Sequence, residues 1–376
     1  MPNIVHFGKY YYPEVGGIEN VTLSLAEGAV RNGYSVSVIC FQKTSGTKKE
    51  IIDGVRLTRV PIAKLIASQP LGFKYFLYCL LASRNADIIH LHVPNMLGAL
   101  CALFIPRKTR LLVHWHSDVL NKGILGFILR PLESALLNRA NKIVSTSQTY
   151  ADESKTLAPF KEKIIVSSLG IPDANYNSTE TQLPSALELK LRTRKIILGV
   201  GRLVPYKGFS VLIHAAQKLV DGSVVVIVGS GPLFQELQQE IIDLGVGDRV
   251  ILTGKLDADT LEKLFKRAYL FCLTSISRAE AFGVVLLEAM SHGLPIVSSK
   301  IPGSGVTWVN QDGFSGISVP IGDAKAVADA CNKILLDNNL RDRLSDGARK
   351  RFNLKLSEKG ALKRMMIIYK DLLATK

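Results

Sequence analysis

Short runs of β-branched and apolar residues alternate with longer amphipathic segments along nearly the whole chain. "NIVHFG" leads through a loop to "IENVTLSLAEGAVRNG", whose apolar positions recur at helical spacing, and then to "YSVSVICF". "ADIIHLH" precedes the helical run "NMLGALCALF", and "TRLLVHWH" follows. "KIVSTS", "QTYADESKTL" and "KIIVSSLG" continue the series. Strand-length apolar runs separated by helix-length segments predict parallel sheets with helices on both faces.

Residues 173–193, "DANYNSTETQLPSALELKLRT", break the rhythm with polar and turn-forming residues and are expected to be a linker. The alternation then restarts with "KIILGVGRL", "GFSVLIHAAQKLV", "SVVVIVGSG", "LFQELQQEIIDLG", "RVILTGKL", "DTLEKLFKRA", "LFCLTS" and "FGVVLLEAMSHG". The pattern predicts an α/β protein with two Rossmann-like domains in tandem, residues 1–175 and 190–355. Residues 356–376, with "SEKGALKRMMIIYKDLLA", read as a long C-terminal helix.

Bulk properties narrow this further. A chain of 376 residues exceeds one ordinary core and suits two domains. No apolar run reaches the roughly 20 residues that a membrane-spanning helix needs, and "MPNIVHFGKYYYPE" lacks a signal-peptide layout. The five cysteines are scattered and form no CxxC pair, which fits a reduced, cytoplasmic setting without disulfides or zinc. Net charge is +15, and residues 1–150 alone hold 17 Lys/Arg against 8 Asp/Glu. Such a surface suits a polyanionic partner: nucleic acid, anionic lipid or a phosphorylated substrate. Aromatics make up only 7% of the chain and no basic-aromatic module is visible, which argues against nucleic acid.

The candidate chemistry sits where predicted strands end and helices begin, the place where open parallel sheets bind ligands. In "SRAEAFGVVLLEAMSHG", Glu280 and Glu288 stand eight residues apart with Gly283 between them. The backbone N–H groups of Phe282, Gly283 and Val284 would form an anion site between two carboxylates. A ligand with hydroxyls, a diphosphate and a ribose in series would fit; a solvated loop and a surface helix would also explain the pair. "GVGRLVPYKGF" places Arg202 and Lys207 after a strand, where two cations can hold phosphates or simply face water. Gly229 and Gly231 in "VGSGPLFQEL", Lys255 and Leu256 after "RVILTG", and Gly16 and Gly17 in "YYYPEVGGIEN" are further ligand-loop candidates, each also readable as a plain turn. "HLH" (His90, His92) and "HWHSD" (His114, His116, Asp118) end neighbouring strands, yet no carboxylate or cysteine ligand set accompanies them, so no metal site is expected. The triplet Asp257 to Asp259 is expected to cap a helix and not to chelate.

Taken together, "VGG" before the first helix, "HWHSD", "GRLVPYKG", "GSGPL" and "EAFGVVLLEAMSHGLPIV", in that order, resemble the retaining glycosyltransferases of family 4, with the GT-B fold. The resemblance implies two domains facing across a cleft, acceptor in the first and nucleotide sugar in the second, with the C-terminal helix crossing back to the first. It assigns Glu280 to donor-sugar hydroxyls, Glu288 to ribose hydroxyls, and Arg202 and Lys207 to the diphosphate. It also assigns the backbone around Phe282, Gly283 and Val284 to sugar and phosphate, Gly16 and Gly17 to the β-phosphate, and His116 to the surroundings of the reacting sugar. Neither cofactor nor metal is implied, the two cations supplying the charge; the donor would be GDP- or UDP-linked. One departure stands in "IPGSGVTWVNQDGFSG", where Trp308 occupies about the place of an expected Glu. The "VNQDG" variant resembles bacterial polysaccharide-assembly transferases, several of which use GDP-mannose. That implies a hexosyl transfer to a lipid-linked saccharide in O-antigen or lipopolysaccharide assembly. Two other readings compete: a UDP-sugar 2-epimerase-like enzyme of the same architecture, and a nucleic-acid-binding protein.

Residues 60–130 interleave apolar runs with Lys64, Lys74, Arg84, Arg107, Lys108, Arg110, Lys122 and Arg130. A helix with Phe73, Phe76, Leu77 and Leu80 on one side and basic margins can lie among lipid headgroups. The expectation is a peripheral protein on the cytoplasmic face of the inner membrane; the plainer one is that these residues pack the first core.

Overall fold

The computed structural model describes residues 1–14, 16–66, 69–118, 123–174 and 183–374, with the backbone alone at 123–128 and 186. They form two compact units, Met1–Ile171 with Glu358–Lys376, and Pro172–Ser357.

In the first unit the strands in chain order are β1 (Asn3–Phe7), β2 (Ser35–Gln42), β3 (Lys48–Ile52), β4 (Val55–Pro61), β5 (Lys64–Ile66), β6 (Gln69–Leu71), β7 (Ile88–Val93), β8 (Arg110–Trp115), β9 (Lys142–Ser145) and β10 (Ile164–Val166). One sheet has the order β10-β9-β8-β7-β1-β2-β4-β3, parallel except for β3 against β4; β5 and β6 form a separate antiparallel ribbon. β7 is buried at every position, as a strand covered on both faces should be. Helix Gly17–Arg31 and the C-terminal helix Glu358–Ala374 pack against each other in this unit.

The second unit contains β11 (Lys195–Val200), β12 (Ser223–Val228), β13 (Val250–Gly254), β14 (Leu270–Leu273), β15 (Ile296–Ser299) and β16 (Gly316–Val319) in the order β13-β12-β11-β14-β15-β16, all parallel. Its core gathers Ile197, Val225, Ile227, Leu270 and Val297 from the strands with Leu212, Ile213, Ile334 and Leu344 from the helices. Strand order reverses direction between β11 and β14, so the C-terminal ends of these two strands mark the switch point where open parallel sheets bind ligands.

The expected linker is in part a helix, Ser185–Leu191; residues 175–182 lie outside the described set. Polar and turn-forming neighbours break the alternation here, but "LELKL" is made of good helix formers. Glu188 ties the segment down: it accepts from Leu183 N at 3.2 Å and pairs with Arg267 at 2.5 Å, while Leu191 is buried.

Candidate active site

The loops after β11 and β14 meet at this switch point. Ile276 N donates to the Tyr206 carbonyl at 2.8 Å, so the loop carrying Glu280 is pinned to the loop carrying Lys207. Lys207 Nζ lies 2.6 Å from Glu280 Oε2, and Ser275 Oγ donates to the same oxygen at 2.8 Å. Ser304 Oγ donates to the Glu280 carbonyl, fixing the backbone beside the carboxylate. Burial alone would lower the Lys207 pKa. The charge of Glu280, then Tyr206, the hydrogen bond that Lys207 donates to Glu280 and the charge of Glu288 outweigh that and hold it above the ordinary lysine value.

Helix Val284–Ser291 begins at Gly283, whose φ of 76° and ψ of 57° lie in the left-handed region that favours glycine. Its first turn leaves backbone N–H groups without intrahelical partners, directly after the Glu280 loop. Glu288 follows one turn into the helix. Burial raises its carboxyl to about 7, against the lowering effect of Lys207 and with some help from Glu262. Lys207 thus faces one carboxylate held in a salt bridge and a second poised near neutrality.

Arg202 is exposed on the same β11 loop, near enough to Tyr206 to influence its hydroxyl. Gly229 explains the proximity of the neighbouring loops: a Cβ there would stand 1.8 Å from the Gly201 carbonyl oxygen, and its φ is 154°. At Gly231 a Cβ would stand 2.3 Å from the Leu203 carbonyl oxygen. Leu203 N donates to the Ser230 carbonyl at 3.0 Å and Gly229 N to the Gly254 carbonyl at 2.9 Å, which brings Lys255 and Leu256 to the same edge of the sheet. These two glycines serve close backbone packing whatever else the loops hold. Asp257 caps helix Ala258–Arg267, accepting from Thr260 N at 2.8 Å.

Sequence reasoning missed Ser275, Ser304 and Tyr206. Only the hydroxyl-rich end of "LFCLTSIS" hinted at the first. Trp308 lies beside the helix start, its ring 6.0 Å from that of Phe282, with the Arg351 guanidinium 4.9 Å away over its face.

In the first unit, Gly16 and Gly17 follow β1 and start helix Gly17–Arg31, with the Glu19 carboxylate folded back so that a Cβ on Gly16 would meet it at 2.2 Å. His116 directly follows β8, Nε2 3.0 Å from His92 Nδ1. The loops after β1 and β8 open on the same edge of one sheet.

Two Rossmann-like units, the second with a lysine and two glutamates at its switch point, make up the architecture, and comparison with known proteins gives the class. Residues 186–351 match the model of glycosyl transferases group 1, and residues 15–175 that of glycosyltransferase family 4. The chain belongs to this glycosyltransferase family and is a glycosyltransferase of GT-B fold. It is 29% identical over 374 residues to the O-antigen chain mannosyltransferase C of Escherichia coli, covering 99% of both chains. It is 31% identical over 318 residues to the D-rhamnosyltransferase WbpZ of Pseudomonas aeruginosa, covering 84% of this chain and 82% of that one. Among solved structures, HepE of Anabaena in complex with UDP and glucose matches with a TM-score of 0.79 and 19% identity over 99% of this chain and 100% of that one. Sucrose-phosphate synthase from Thermosynechococcus elongatus matches with a TM-score of 0.77 and 19% identity over 100% of both.

Proposed function

We propose that this chain transfers a hexose, mannose from GDP-mannose in the first instance, to a lipid-linked saccharide in O-antigen or lipopolysaccharide assembly, with retention of configuration and without a metal ion. The observation that carries the reading is the Lys207–Glu280 pair at 2.6 Å beside the N-terminal turn that leads to Glu288. One ammonium, two carboxylates and free backbone N–H groups in sequence suit a diphosphate with hydroxylated groups at both ends. The names of the Escherichia coli and Pseudomonas aeruginosa relatives, a mannosyltransferase and a D-rhamnosyltransferase, support the sugar class.

In this reading Glu280 accepts hydrogen bonds from donor-sugar hydroxyls and Glu288 from those of the ribose. Gly229, Gly231, Lys255 and Leu256 line the nucleotide side, and Phe282, Gly283 and Val284 offer their backbone to sugar and phosphate. Gly16 and Gly17 approach the β-phosphate and His116 the reacting sugar. As the glycosidic C–O bond breaks, its electron pair passes to the β-phosphate oxygen. Arg202 and Lys207 stabilise that growing charge more than they stabilise the bound donor, which is what accelerates the step. The acceptor hydroxyl attacks the anomeric carbon from the same face and gives its proton to the departing phosphate. A thermal-shift panel of GDP-, UDP-, ADP- and dTDP-sugars tests the donor. Stabilisation by GDP-mannose above the others is expected; stabilisation by a UDP-sugar alone would overturn the mannose assignment.

The acceptor is proposed to be met at an anionic membrane surface. Helix Phe73–Ser83 buries Tyr75 and Cys79, yet Phe73, Leu77 and Leu81 are 78%, 44% and 46% exposed at four-residue spacing. Leu65 and Phe104 are exposed as well, and Lys64, Lys74, Arg84, Arg107 and Lys108 are exposed among them. A helix apolar on both faces with a basic margin suits partial insertion among headgroups. Packing of the first core therefore accounts for only part of this segment; Lys122 lies outside the described residues.

A further inference from the structure

Five of the seven histidines share one sheet face: His6 on β1, His90 and His92 on β7, and His114 and His116 at the end of β8. Parallel-sheet faces ordinarily carry aliphatic side chains, and a buried imidazole must find partners among its neighbours. Here the rings partner one another. His6 Nδ1 lies 3.0 Å from His92 Nε2, and His92 Nδ1 lies 3.0 Å from His116 Nε2. A second string runs from Tyr369 Oη to His90 Nδ1 at 2.7 Å and from His90 Nε2 to His114 Nδ1 at 3.3 Å.

Burial pushes His6 and His116 down to about 3, and burial together with the neighbouring rings holds His90 and His92 well below the ordinary value. All are neutral at physiological pH, so each ring carries one N–H and one lone pair. The first string can then run in two directions. If His116 donates to His92 and His92 to His6, the proton of His6 sits on Nε2, a buried atom with no partner. If His6 donates, the unpartnered Nε2 carries only a lone pair. Among buried backbone groups an orphaned N–H is rarer than an under-satisfied acceptor, and the same preference carried over to the ring nitrogen selects the second direction: His6 Nδ1–H to His92 Nε2, then His92 Nδ1–H to His116 Nε2. The only nitrogen left for the proton of His116 is Nδ1, for which no described residue is a hydrogen-bond partner.

We propose that His6 and His92 are positioning residues that lock His116 as the Nδ1–H tautomer, so that it meets a bound sugar oxygen as a hydrogen-bond donor and not as a base. The part of this statement that concerns sugar rests on the glycosyltransferase reading of the β8 end; the tautomer does not. A metal ion is the competing use of these atoms, since nitrogens of His6, His90 and His92, and of His92, His114 and His116, lie within 4.8 Å of one another. The pairing of His6 with His92 and of His92 with His116 already spends the lone pairs of His92 Nε2 or Nδ1 on imidazole protons, and no carboxylate belongs to either group.

Long-range 1H–15N correlation spectra of the full chain, labelled with 15N-histidine and assigned by single substitutions, test this without any activity measurement. At pH 7 His116 should show a proton on Nδ1 and none on Nε2, and the pattern should persist to pH 5. His92→Gln keeps an acceptor for His6 and a donor for His116, so it should retain the pattern. His92→Phe removes both and should leave His116 a mixture of tautomers. An Nε2–H at His116 in the wild-type chain, an unchanged pattern in His92→Phe, or a pattern that appears only after treatment with EDTA would each overturn the proposal. These outcomes are read whether or not the chain transfers sugar, so failure of the tautomer and failure of the transferase reading are distinguishable.

Discussion

Lys207 and Glu280 are 73 residues apart in sequence and 2.6 Å apart in the fold, with side chains only 11% and 9% exposed. Removing one member of such a pair strands the other's charge away from water, at a cost of about 3 kcal/mol. Glu280→Ala should therefore lower the unfolding free energy by about that amount. Lys207→Ala should cost less, because Ser275 still donates to Glu280. The paired replacement Lys207→Met with Glu280→Leu should recover most of the loss in denaturant unfolding. A double variant as unstable as the sum of the singles would show that the two charges do not depend on one another.

The leaving-group role predicts kinetics. Arg202→Ala and Lys207→Ala should each lower kcat/KM by roughly 100-fold, typical of losing a contact to developing charge. Activity should survive EDTA. Strict dependence on added Mn2+ or Mg2+ would refute the metal-free mechanism.

The two glutamates should separate in binding. Glu288→Ala should weaken binding of free GDP measured by calorimetry, because its carboxylate is assigned to ribose. Glu280→Ala should leave GDP binding near the wild-type value while abolishing most turnover. Equal losses of GDP affinity in both variants would displace the proposed orientation of the donor.

Glu288 also predicts a pH dependence. Its carboxyl sits at about 7 in the folded chain, raised by burial. Ribose hydroxyls donate to the ionised form, so GDP affinity should rise between pH 6 and 8, by up to about tenfold per unit below the pKa. Glu288→Gln should flatten that rise. Stability carries the opposite sign. The folded chain holds this proton more tightly than the unfolded one, so the associated stabilisation is full at low pH and lost as pH rises through 7. Glu288→Gln should gain stability relative to wild type above pH 7, and an identical pH–stability profile for the two chains would contradict the raised pKa.

Membrane docking is tested by sedimentation with vesicles. Binding should increase with anionic lipid content, fall as salt rises, and weaken when Lys64, Lys74 and Arg84 become Glu. Phe73→Ser with Leu77→Ser should weaken it at all salt concentrations, because the apolar contribution is not screened. A chain that stays in the supernatant with anionic vesicles at low salt removes the membrane claim and leaves the transferase assignment intact.

Much of this protein was legible in its sequence, for reasons of period. Apolar runs such as "IILGVG" and "VVVIVG" must be buried on both faces, and the helix-length segments between them supply the cover, so two parallel sheets followed without any knowledge of contacts. The spacing of Glu280, Gly283 and Glu288 around a helix start is likewise local, because strand end, left-handed glycine and first turn are consecutive in the chain. What the sequence could not show depends on strand order. Nothing in "NIVHFG" says that His6 will stand beside β7 and join the histidines of "HLH" and "HWH"; that follows only once β1 pairs with β7. Nor does "VPYKG" say that its lysine will meet Glu280, which requires β11 to lie against β14 with the loop after each pinned to the other. The exposure of Phe73 and Leu77 was also undecided, since an apolar helix reads the same whether its outer face is covered or open. Local patterns fix which residues must leave water; only the packed chain decides which distant residue each of them meets.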